Sequence, residues 1–513
     1  MELRNQFSRT IASLVLFTAT ALAQAPAPAA QTQTRATQLP LSGRNAQGGS
    51  VTASESPVPG TTTSVNTINP TVQIQGAYSG SIAGRPFSGK LSLNEAVQRA
   101  LEYNLGAAGA LHAISQAHGE SRVARSALLP NLNGSLTETV EQEDLQALGL
   151  RFHFPIAGIA IPTIVGPFNY FDLRASLSQS VLDLTAWNNH RSATENLRSA
   201  QLSARDARDL VVFGTAGAYL QVIAAAARIN SARAQLETAS ALFQQTSQQH
   251  GVGLVAQIDV NRSRVEMLTQ QERLTSLQND LAKQKINLAR IAGLPPTDAY
   301  ELADDIPFAP AADITVGDAL QQAFAQRSDL KAAEAQVRAA EGTRSAARAE
   351  RLPALSVSAD YGAIGVTPDH SHGTFSVVGS LKFPIWQGGH IEGDIEQADA
   401  ALAQRQAEFA DLHSQVEADV RKSYLDLEAA KNQVEVAREN VQVSQENLKL
   451  TRQRFDAGVA DNVDVVQSQE SVANAELDYI NSVFAHNIAK LSLARALGQA
   501  AANLPQFLTA RPR

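Results

Sequence analysis

The chain has 513 residues, long enough for about two or three ordinary domains with sizeable cores. Hydrophobic residues make up 44% but aromatic residues only 5%, a mix that favours long, closely packed helices over a thick mixed core. The formal net charge of −8 offers no basic face for nucleic acid. Because cysteine is absent, disulfides, thiolate chemistry, cysteine-bound zinc and an acylated lipoprotein cysteine are excluded.

Residues 1–23 have the features of a secretory signal peptide. Arg4 and Arg9 precede the short apolar run 11–21, and Ala21-Leu22-Ala23 forms a small-x-small cleavage site. The apolar run is too short to span a bilayer, which needs about 20 residues. The sequence therefore predicts export rather than anchoring by an uncleaved helix.

Residues 24–88 are rich in Ala, Pro, Gln, Thr, Ser and Gly and contain few large apolar side chains. Such a segment cannot bury enough apolar surface to offset its ordering entropy, so we predict a disordered leader. Beyond it, no window holds about 18 uninterrupted apolar residues, the length of a membrane helix. A membrane crossing would therefore need a closed β-barrel, in which every backbone group is paired.

The rest of the chain reads as two copies of one unit. The first copy is expected at 89–300 and the second at 314–500, with a linker at 301–313 in the equatorial region and a tail at 501–513. Each copy is predicted to contain a helix, two β-strands, a long helix, a tip turn and a returning helix. The landmarks that repeat at constant separations are Ala96/Ala319 and Pro130/Pro353, followed by Tyr219/Tyr424, Gly253/Gly458, Asp259/Asp464 and Gly293/Gly498.

Two segments in each copy alternate between apolar and polar residues over about ten positions, with one apolar face. This pattern is typical of membrane barrel strands, although half-buried soluble hairpins show it too. The alternating segments begin near Leu132, Phe171, Leu355 and Phe375, and the last is expected to run to Ile385. The export signal and the neighbouring long helices favour the membrane interpretation.

Proline is absent from residues 185–249 and 387–504, which predicts two helices of about 65 residues, each roughly 100 Å long. Large residues alternate with small ones along a heptad seam in both, which favours close packing and supercoiling. The large seam residues are Val222, Ile229, Leu236 and Phe243 in the first helix and Leu427, Val434, Val441, Leu448 and Phe455 in the second. Each helix is followed by a glycine-containing turn and a returning helix, so strands and turns lie at opposite ends of a rod.

Four strands in one chain cannot close a barrel, and an open four-stranded sheet would leave bare edges in lipid. Three chains would supply twelve strands, enough to enclose a water-filled pore. The sequence therefore predicts a homotrimer.

The turns and junctions resemble those of TolC-like outer-membrane efflux proteins. The segments that carry the resemblance are 252–256 with 258–260 at the first tip, 455–459 with 463–466 at the second, Leu352-Pro353 before a strand, and Pro384-Ile385-Trp386-Gln387-Gly388-Gly389 after one. The resemblance covers roughly residues 90–500. It implies an α+β membrane protein: a trimeric duct with a twelve-stranded β-barrel and a tunnel of long helical hairpins in the periplasm.

The same resemblance implies the partners and the place of action. Such ducts lie in the outer membrane of Gram-negative-type bacteria, contact outer-membrane lipid, and dock with a periplasmic adaptor (membrane-fusion) protein and an inner-membrane pump. They serve tripartite efflux or type I secretion and are not enzymes. They export drugs, metals or proteins, and the sequence does not distinguish among these substrates.

The family narrows its periplasmic end with an acidic ring, and Asp464 occupies the position of one ring aspartate. Gln467 stands at the position of a second, so a less acidic, cation-selective aperture is expected. Asp259 is the first-repeat counterpart of Asp464. Either aspartate could instead be an ordinary carboxylate at a helix N-terminus.

A family latch pairs an arginine of the second tip with an aspartate of the first. Asp259 matches the aspartate, but Ala460 replaces the arginine, and Arg452 and Arg454 read as a solvated helix face. The tip-turn residues expected to contact the adaptor are Gly253, Leu254 and Val255 in the first repeat and Gly458, Val459 and Ala460 in the second.

The first hairpin is longer than the second by 19 residues, counted from Pro130 to Phe171 and from Pro353 to Phe375. At the outer end of a barrel, the extra residues would form an extracellular loop.

No motif in the chain indicates catalysis, a cofactor or a metal centre. His370 and His372 lack the further ligands that a metal site needs, so we expect loop residues there. The alternative function is an exported structural coiled-coil scaffold without channel activity. It would explain the heptads but not the alternating strands at one end of both repeats.

Overall fold

A computed structural model of the chain describes residues 50–53, 70–73, 76–149 without 83 and 85, 162–305 without 298, 308–310 and 314–502. The predicted signal peptide therefore lies outside the described residues, as do most of the predicted leader and all but the start of the predicted tail.

Helices and strands follow one another in a similar order in the two halves of the chain. Before the second repeat they are β1 (Ser50–Ala53), β2 (Pro70–Gln73), β3 (Gly89–Leu91), α1 (Leu93–Tyr103), α2 (Leu105–Ser126), β4 (Asn131–Asp144), β5 (Ile164–Leu182), α3 (Leu184–Gly251), α4 (Gln257–Ala292) and β6 (Tyr300–Leu302). The second repeat contains α5 (Val316–Gln326), α6 (Ser328–Ala349), β7 (Ala354–Gly365), β8 (Ser371–Lys382), α7 (His390–Asp456) and α8 (Asn462–Ala496).

The end of the predicted disordered leader is attached to the helical body. A 3₁₀ turn at Gly76–Ser79 precedes Ser81, which bridges to Asn104. The Asn104 amide donates to the Tyr78 carbonyl at 2.8 Å, and the Tyr78 ring packs directly on Gly106. The short strands β1 and β2 also pair antiparallel within the leader. Disorder was therefore predicted over too long a segment, because composition does not reveal hydrogen bonds to a distant helix.

Each stretch predicted as one helix before a strand is divided into two helices. The first breaks at Asn104, which has extended backbone angles and accepts the Gly106 N–H with its side chain. The second breaks at Arg327, whose buried guanidinium pairs with Asp329 at 2.7 Å and with Asp419 at 3.0 Å. The Asn104 side chain accepts a backbone N–H that the break leaves without a helical partner, and the two aspartates pair with the buried Arg327 guanidinium. A helix can therefore end inside the body at both places.

The long helices confirm the predicted rods, since α3 has 68 residues and α7 has 67. In the half towards the strands, α2 packs on α3, α3 on α6, and α6 on α7. In the other half the order is α4, α3, α8, α7. Helix α3 is thus central in both layers and α7 lies at an edge in both.

The central position of α3 explains why this helix is rich in apolar residues. Among the described helices, it alone contains an 18-residue window with the length and mean hydropathy, 1.8, to cross a membrane. The sequence contains no uninterrupted apolar run there, and 72% of the window is buried inside the chain. The window is therefore accounted for as the core helix of the body.

The largest apolar core lies where α1, α3, α4 and α8 meet beside the parallel pair β3–β6. Tyr219 is fully buried, and its hydroxyl donates to the Leu91 carbonyl at 2.8 Å and lies 3.0 Å from an Asp304 carboxylate oxygen. The same Asp304 oxygen accepts the Leu93 N–H at 2.6 Å. One tyrosine thus joins the long helix to the start of the first repeat.

The four long strands form one antiparallel sheet in the order β4-β5-β7-β8. The register aligns the apolar faces of all four strands, because many apolar residues face apolar residues in each ladder, with exceptions such as Glu138 opposite Phe171 and Gln179 opposite Val357. Examples are Leu132 opposite Leu177, Leu177 opposite Ala359, and Ala359 opposite Val377. The predicted two-residue alternation is confirmed.

The strand ends differ from the prediction in two ways. β8 stops at Lys382 rather than at Ile385, because Pro384 has no N–H for a ladder and the chain turns there. The extra residues of the first hairpin partly lengthen its strands, since β4 and β5 have 14 and 19 residues while β7 and β8 have 12 each. Residues 150–161 of the expected extracellular loop lie outside the described residues.

Candidate functional site at the hairpin tips and the sheet

The first tip turn reverses the chain between α3 and α4. Gly253 has a φ of +78°, a conformation that glycine adopts without steric cost. Its N–H donates to the His250 carbonyl at 2.9 Å, and the Leu254 N–H donates to the Gln249 carbonyl at 2.9 Å. These bonds satisfy carbonyls that the helix end leaves free.

The second tip turn has the same construction between α7 and α8. Gly458 has a φ of +73°, and its N–H donates to the Phe455 carbonyl at 2.9 Å. The Val459 and Ala460 N–H groups both donate to the Arg454 carbonyl, at 2.9 and 3.3 Å. The repeat seen in the sequence is therefore a repeat of backbone geometry.

A hydroxyl pair fastens each hairpin one to two turns above its tip, fully buried in the first repeat and partly buried in the second. In the first repeat the Thr246 and Ser263 hydroxyls lie 2.7 Å apart, and in the second the Ser468 hydroxyl donates to Thr451 at 3.1 Å. Thr246 and Thr451 are small seam positions, so the heptad pattern sets their place in the interface.

Asp464 lies in the first turn of α8 with an exposed side chain. Within the part of the chain that the structure describes, no ion pair or hydrogen bond involves its carboxylate. Its backbone N–H donates to the Asp461 carbonyl at 3.1 Å, so the carboxylate is not needed as a cap. Gln467 is exposed one turn further along the helix.

Asp259 has a different environment from its repeat counterpart. It is half-buried, and Arg262 lies 3.4 Å from its carboxylate within the same helix. Asp259 therefore has a local counter-ion that Asp464 lacks among the described ion pairs. Arg452 and Arg454 are exposed on α7.

An amide joins the two tips within one chain, where the family latch uses an arginine. The side chain of the buried Asn462 donates to the Asp259 backbone carbonyl at 3.0 Å. Higher up, the Gln245 amide donates to the Asp456 carboxylate at 3.1 Å. Sequence reasoning missed both contacts, because neither residue type at these positions signals a partner about 200 residues away in the chain.

The tip turns expose large apolar side chains. Leu254 is 75% exposed and Val459 68%, and Val252 and Ile258 are exposed beside them. Val255 and Ala460 are half-buried, and Gly253 and Gly458 are exposed. A cluster of this kind at the end of a rod is typical of a surface that another protein covers.

The sheet has one apolar face and one polar face. Its apolar face is exposed in the chain, with Leu132, Leu136, Leu173, Tyr361, Phe375, Val377 and Leu381 all more than half accessible. On the opposite face, Arg174 pairs with Asp172 at 3.1 Å and with Asp360 on the neighbouring strand. Sequence alternation predicted the two faces, but the partner of Arg174 on β7 follows only from strand register.

The comparisons with known proteins agree with this geometry. The family model for outer membrane efflux proteins matches residues 96–294 and 319–499. The pyoverdine export outer membrane protein OpmQ of Pseudomonas aeruginosa is 24% identical over 421 residues, covering 80% of this chain and 85% of its own. Outer membrane protein TolC of Escherichia coli is 24% identical over 395 residues, covering 73% and 76%. The CmeC outer membrane channel of Campylobacter jejuni superposes with a TM-score of 0.70 at 17% identity, covering 85% and 95%.

Long helical hairpins, a four-stranded antiparallel sheet and an internal repeat define the class of the trimeric outer-membrane channels. The chain belongs to the outer membrane efflux protein family, whose model matches both of its repeats. The resemblance and the fold class predicted from the sequence are thus confirmed. As a member of this family, the chain is an outer-membrane efflux channel and not an enzyme.

Proposed function

We propose that the chain forms the exit duct of a tripartite efflux or type I secretion system. Substrates would pass from an inner-membrane pump and a periplasmic adaptor through the duct to the exterior. The observation that carries this proposal is the sheet, which exposes a largely apolar face and carries polar side chains on the other face. Water-filled barrels need this arrangement, with lipid outside and solvent inside.

The edges of the sheet support assembly as a homotrimer. In the described chain β4 and β8 each have one neighbouring long strand, so each leaves a row of backbone groups unpaired. Such edges are not tolerated in lipid. Pairing β4 of one chain with β8 of the next in a closed ring of three gives twelve strands and no free edge.

The helical layer supports the same assembly. Edge helix α7 exposes a stripe of apolar side chains, at Leu425, Val436, Val443 and Leu450. The opposite edge exposes Leu111 and Val123 on α2 and Val265 and Leu268 on α4. In a ring, α7 of one chain would cover α2 and α4 of the next, and the helices would close into a periplasmic tunnel.

Both tryptophans of the chain stand where a strand passes into a long helix. Trp187 is 60% exposed just after β5, and Trp386 is 87% exposed just after β8. Tryptophan favours the boundary between lipid and water, because its ring is apolar and its N–H needs a polar partner. The junction would therefore lie at the inner surface of the outer membrane.

We assign the aperture to the ring of three Asp464 side chains. The exposed carboxylate of Asp464 is free of a described counter-ion, whereas Arg262 offsets the charge of Asp259. Three like charges around a narrow opening attract cations, because a low-dielectric wall concentrates their field. Asp259 would contribute less to the same potential.

The adaptor would dock on the exposed tip turns. Leu254 and Val459 are both exposed large side chains, and they occupy equivalent positions in the tip turns of the two repeats. Six such turns in a trimer would form a ring of apolar contact points around the aperture. Gly253, Val255, Gly458 and Ala460 would supply the backbone of these contacts.

The test is single-channel conductance of detergent-purified full-length protein in a planar bilayer, comparing wild type with Asp464→Asn and Asp259→Asn. We expect discrete cation-selective steps, with cation-over-anion permeability at least about 2-fold lower in Asp464→Asn and nearly unchanged in Asp259→Asn. The same variants control for folding, since each is isosteric.

The outcomes separate the parts of the proposal. If the wild type fails to insert or to conduct, the proposal that the chain forms a duct is wrong. If both substitutions change the ion selectivity equally, the assignment of Asp464 to the aperture is wrong. Docking is measured on Leu254→Ser and Val459→Ser. These variants should conduct like the wild type and lose export in cells. Unimpaired export would contradict the proposal that the adaptor docks on the tip turns.

A further inference from the structure

Three potential metal ligands converge at the base of the second strand hairpin, far from the tips. Glu350 lies at the C-terminal end of α6, just before β7, and His390 is the first residue of α7, shortly after β8. Asp394 follows one helical turn later. One ligand atom from each of these side chains lies within 4.8 Å of the others.

The distances are close to those of a coordination sphere. His390 Nδ1 lies 3.1 Å from Asp394 Oδ2. Ligand atoms around a tetrahedral Zn²⁺, each about 2.1 Å from the metal, stand about 3.4 Å apart. Only a small movement of Glu350 and Asp394 would therefore be needed to close the three ligands around one ion.

Two of the ligands are carboxylates in mutual contact. One carboxylate oxygen of Glu350 lies within 4.8 Å of a carboxylate oxygen of Asp394 and of a ring nitrogen of His390. Two carboxylates this close need a shared proton or a cation between them. The neighbouring imidazole adds a nitrogen ligand to the pair.

The arginines around the junction are paired elsewhere. Arg351 lies 3.2 Å from Glu392, and Arg344 and Arg348 both pair with Asp399. Among the described ion pairs of this junction, none joins an arginine to Glu350 or Asp394. These arginines therefore do not supply the positive charge that the two carboxylates need, and His390, 3.1 Å from Asp394, supplies it only when its ring is protonated.

The backbone also suits a cation at this junction. Gly388 and Gly389 have φ values of +63° and +88°, and this double turn brings the start of α7 beside the end of α6. The C-terminal end of α6 carries the partial negative charge of the helix dipole. His390 and Asp394 are one turn apart on α7, so both point to the same side of that helix.

The first repeat lacks this constellation. Its helix α2 ends at C-cap Ala127, the counterpart of the α6 C-cap Glu350, so one carboxylate is missing. Helix α3 begins with the Asp183 side chain accepting the Ala186 N–H, an ordinary N-cap. The second repeat has no side-chain cap at that point. The cluster is thus a feature of one repeat and not a by-product of the repeated architecture.

The geometry points to a binding site for a divalent transition-metal ion, such as Zn²⁺, formed by Glu350, His390 and Asp394. One imidazole and two carboxylates match the ligands of zinc, with a fourth position left for water. The ion would join the segment that enters the β7–β8 hairpin to the segment that leaves it. It would act as a staple between the helical body and the membrane strands.

The test is calorimetric titration of Zn²⁺ into the full-length protein, purified in detergent without a histidine tag. We expect one ion per chain and a thermal unfolding midpoint that rises with Zn²⁺. His390→Gln and, separately, Glu350→Gln should each raise the Kd for Zn²⁺ at least about 10-fold. The double variant His370→Gln/His372→Gln, in the exposed outer loop, is the matched control and should bind like the wild type.

The proposal is overturned if the wild type binds no stoichiometric Zn²⁺, or if His390→Gln binds as tightly as the wild type. It is also overturned if the loop variant removes binding, because the ion would then belong to the outer histidines. Should Glu350→Gln fail to fold, Asp394→Asn takes its place as the second carboxylate variant. Tighter binding of Mg²⁺ than of Zn²⁺ would reject the assigned metal class.

Discussion

The two long helices share a heptad seam, a length and a tip turn, yet they are buried very differently. Helix α3 has buried residues along most of its length, while α7 has a single buried stripe and an exposed apolar one. The reason is position, because α3 packs on neighbours at both sides and α7 on neighbours at one side only. A duplicated sequence thus gives duplicated hairpins, while the place of each hairpin in the layer decides how much each residue contributes.

The tyrosine pair Tyr219 and Tyr424 offers the largest contrast. Tyr219 is fully buried with two hydrogen-bond partners, whereas its repeat counterpart Tyr424 is half-buried. We expect Tyr219→Ala to lower the free energy of unfolding by about 3–5 kcal/mol and Tyr424→Ala by about 1 kcal/mol or less. Denaturant unfolding followed by circular dichroism measures both, and equal losses would show that the repeats are energetically equivalent.

The second contrast is a histidine that only one repeat contains. His486 is buried on α8 against Phe308, with ring centroids 4.8 Å apart, and its repeat counterpart is Leu281. Burial first, then the charges of Lys490 and Lys431, lower the pKa of His486 to about 4. The unfolded chain, with a histidine pKa near 6.5, therefore binds the proton more readily than the folded chain.

Stability should consequently fall as pH drops from about 6.5 towards about 4, by about 3 kcal/mol in total. His486→Leu, which installs the first-repeat residue, should flatten this part of the pH profile. Thermal unfolding midpoints across that pH range provide the measurement, and His118→Gln on the exposed face of α2 provides the control. An unchanged slope in His486→Leu would assign the pH dependence to other groups.

The smallest contrast lies in the hydroxyl pairs near the tips. Thr246→Val should cost about 1 kcal/mol because both hydroxyls of that pair are buried, and Thr451→Val should cost less because Thr451 is half-buried. Amide hydrogen exchange of the two tips reports the local opening of each hairpin. Faster exchange at the second tip than at the first after substitution would reverse the expected order.

Local sequence signals predicted the elements well, and their failures have identifiable causes. Alternation located all four strands, and the heptad seam located both long helices. The breaks at Asn104 and Arg327 were missed because they depend on buried contacts with distant residues. The overlong last strand was a local error, since Pro384 alone indicates that the ladder must stop before it.

The candidate sites divide in the same way. The glycine turns and the aspartates of the tips were visible as motifs, because their backbone geometry needs particular residues at particular spacings. The Asn462 link between the tips was not visible, nor was the convergence of Glu350 with His390 and Asp394. The spacing of His390 and Asp394 at one helical turn was the only local signal of that cluster, and the third ligand lies across a strand hairpin.

The sequence by itself determined the class of this protein: a duplicated chain of alternating strands and long seam helices belonging to the outer membrane efflux family. These features are encoded by periodicities within single segments, which a reader of the chain can see. Only the tertiary structure decided which long helix became the core, which aspartate kept a free carboxylate and which side chains met at the strand–helix junction. Those outcomes depend on contacts between segments far apart in the chain, and no local pattern records which segments will pack together.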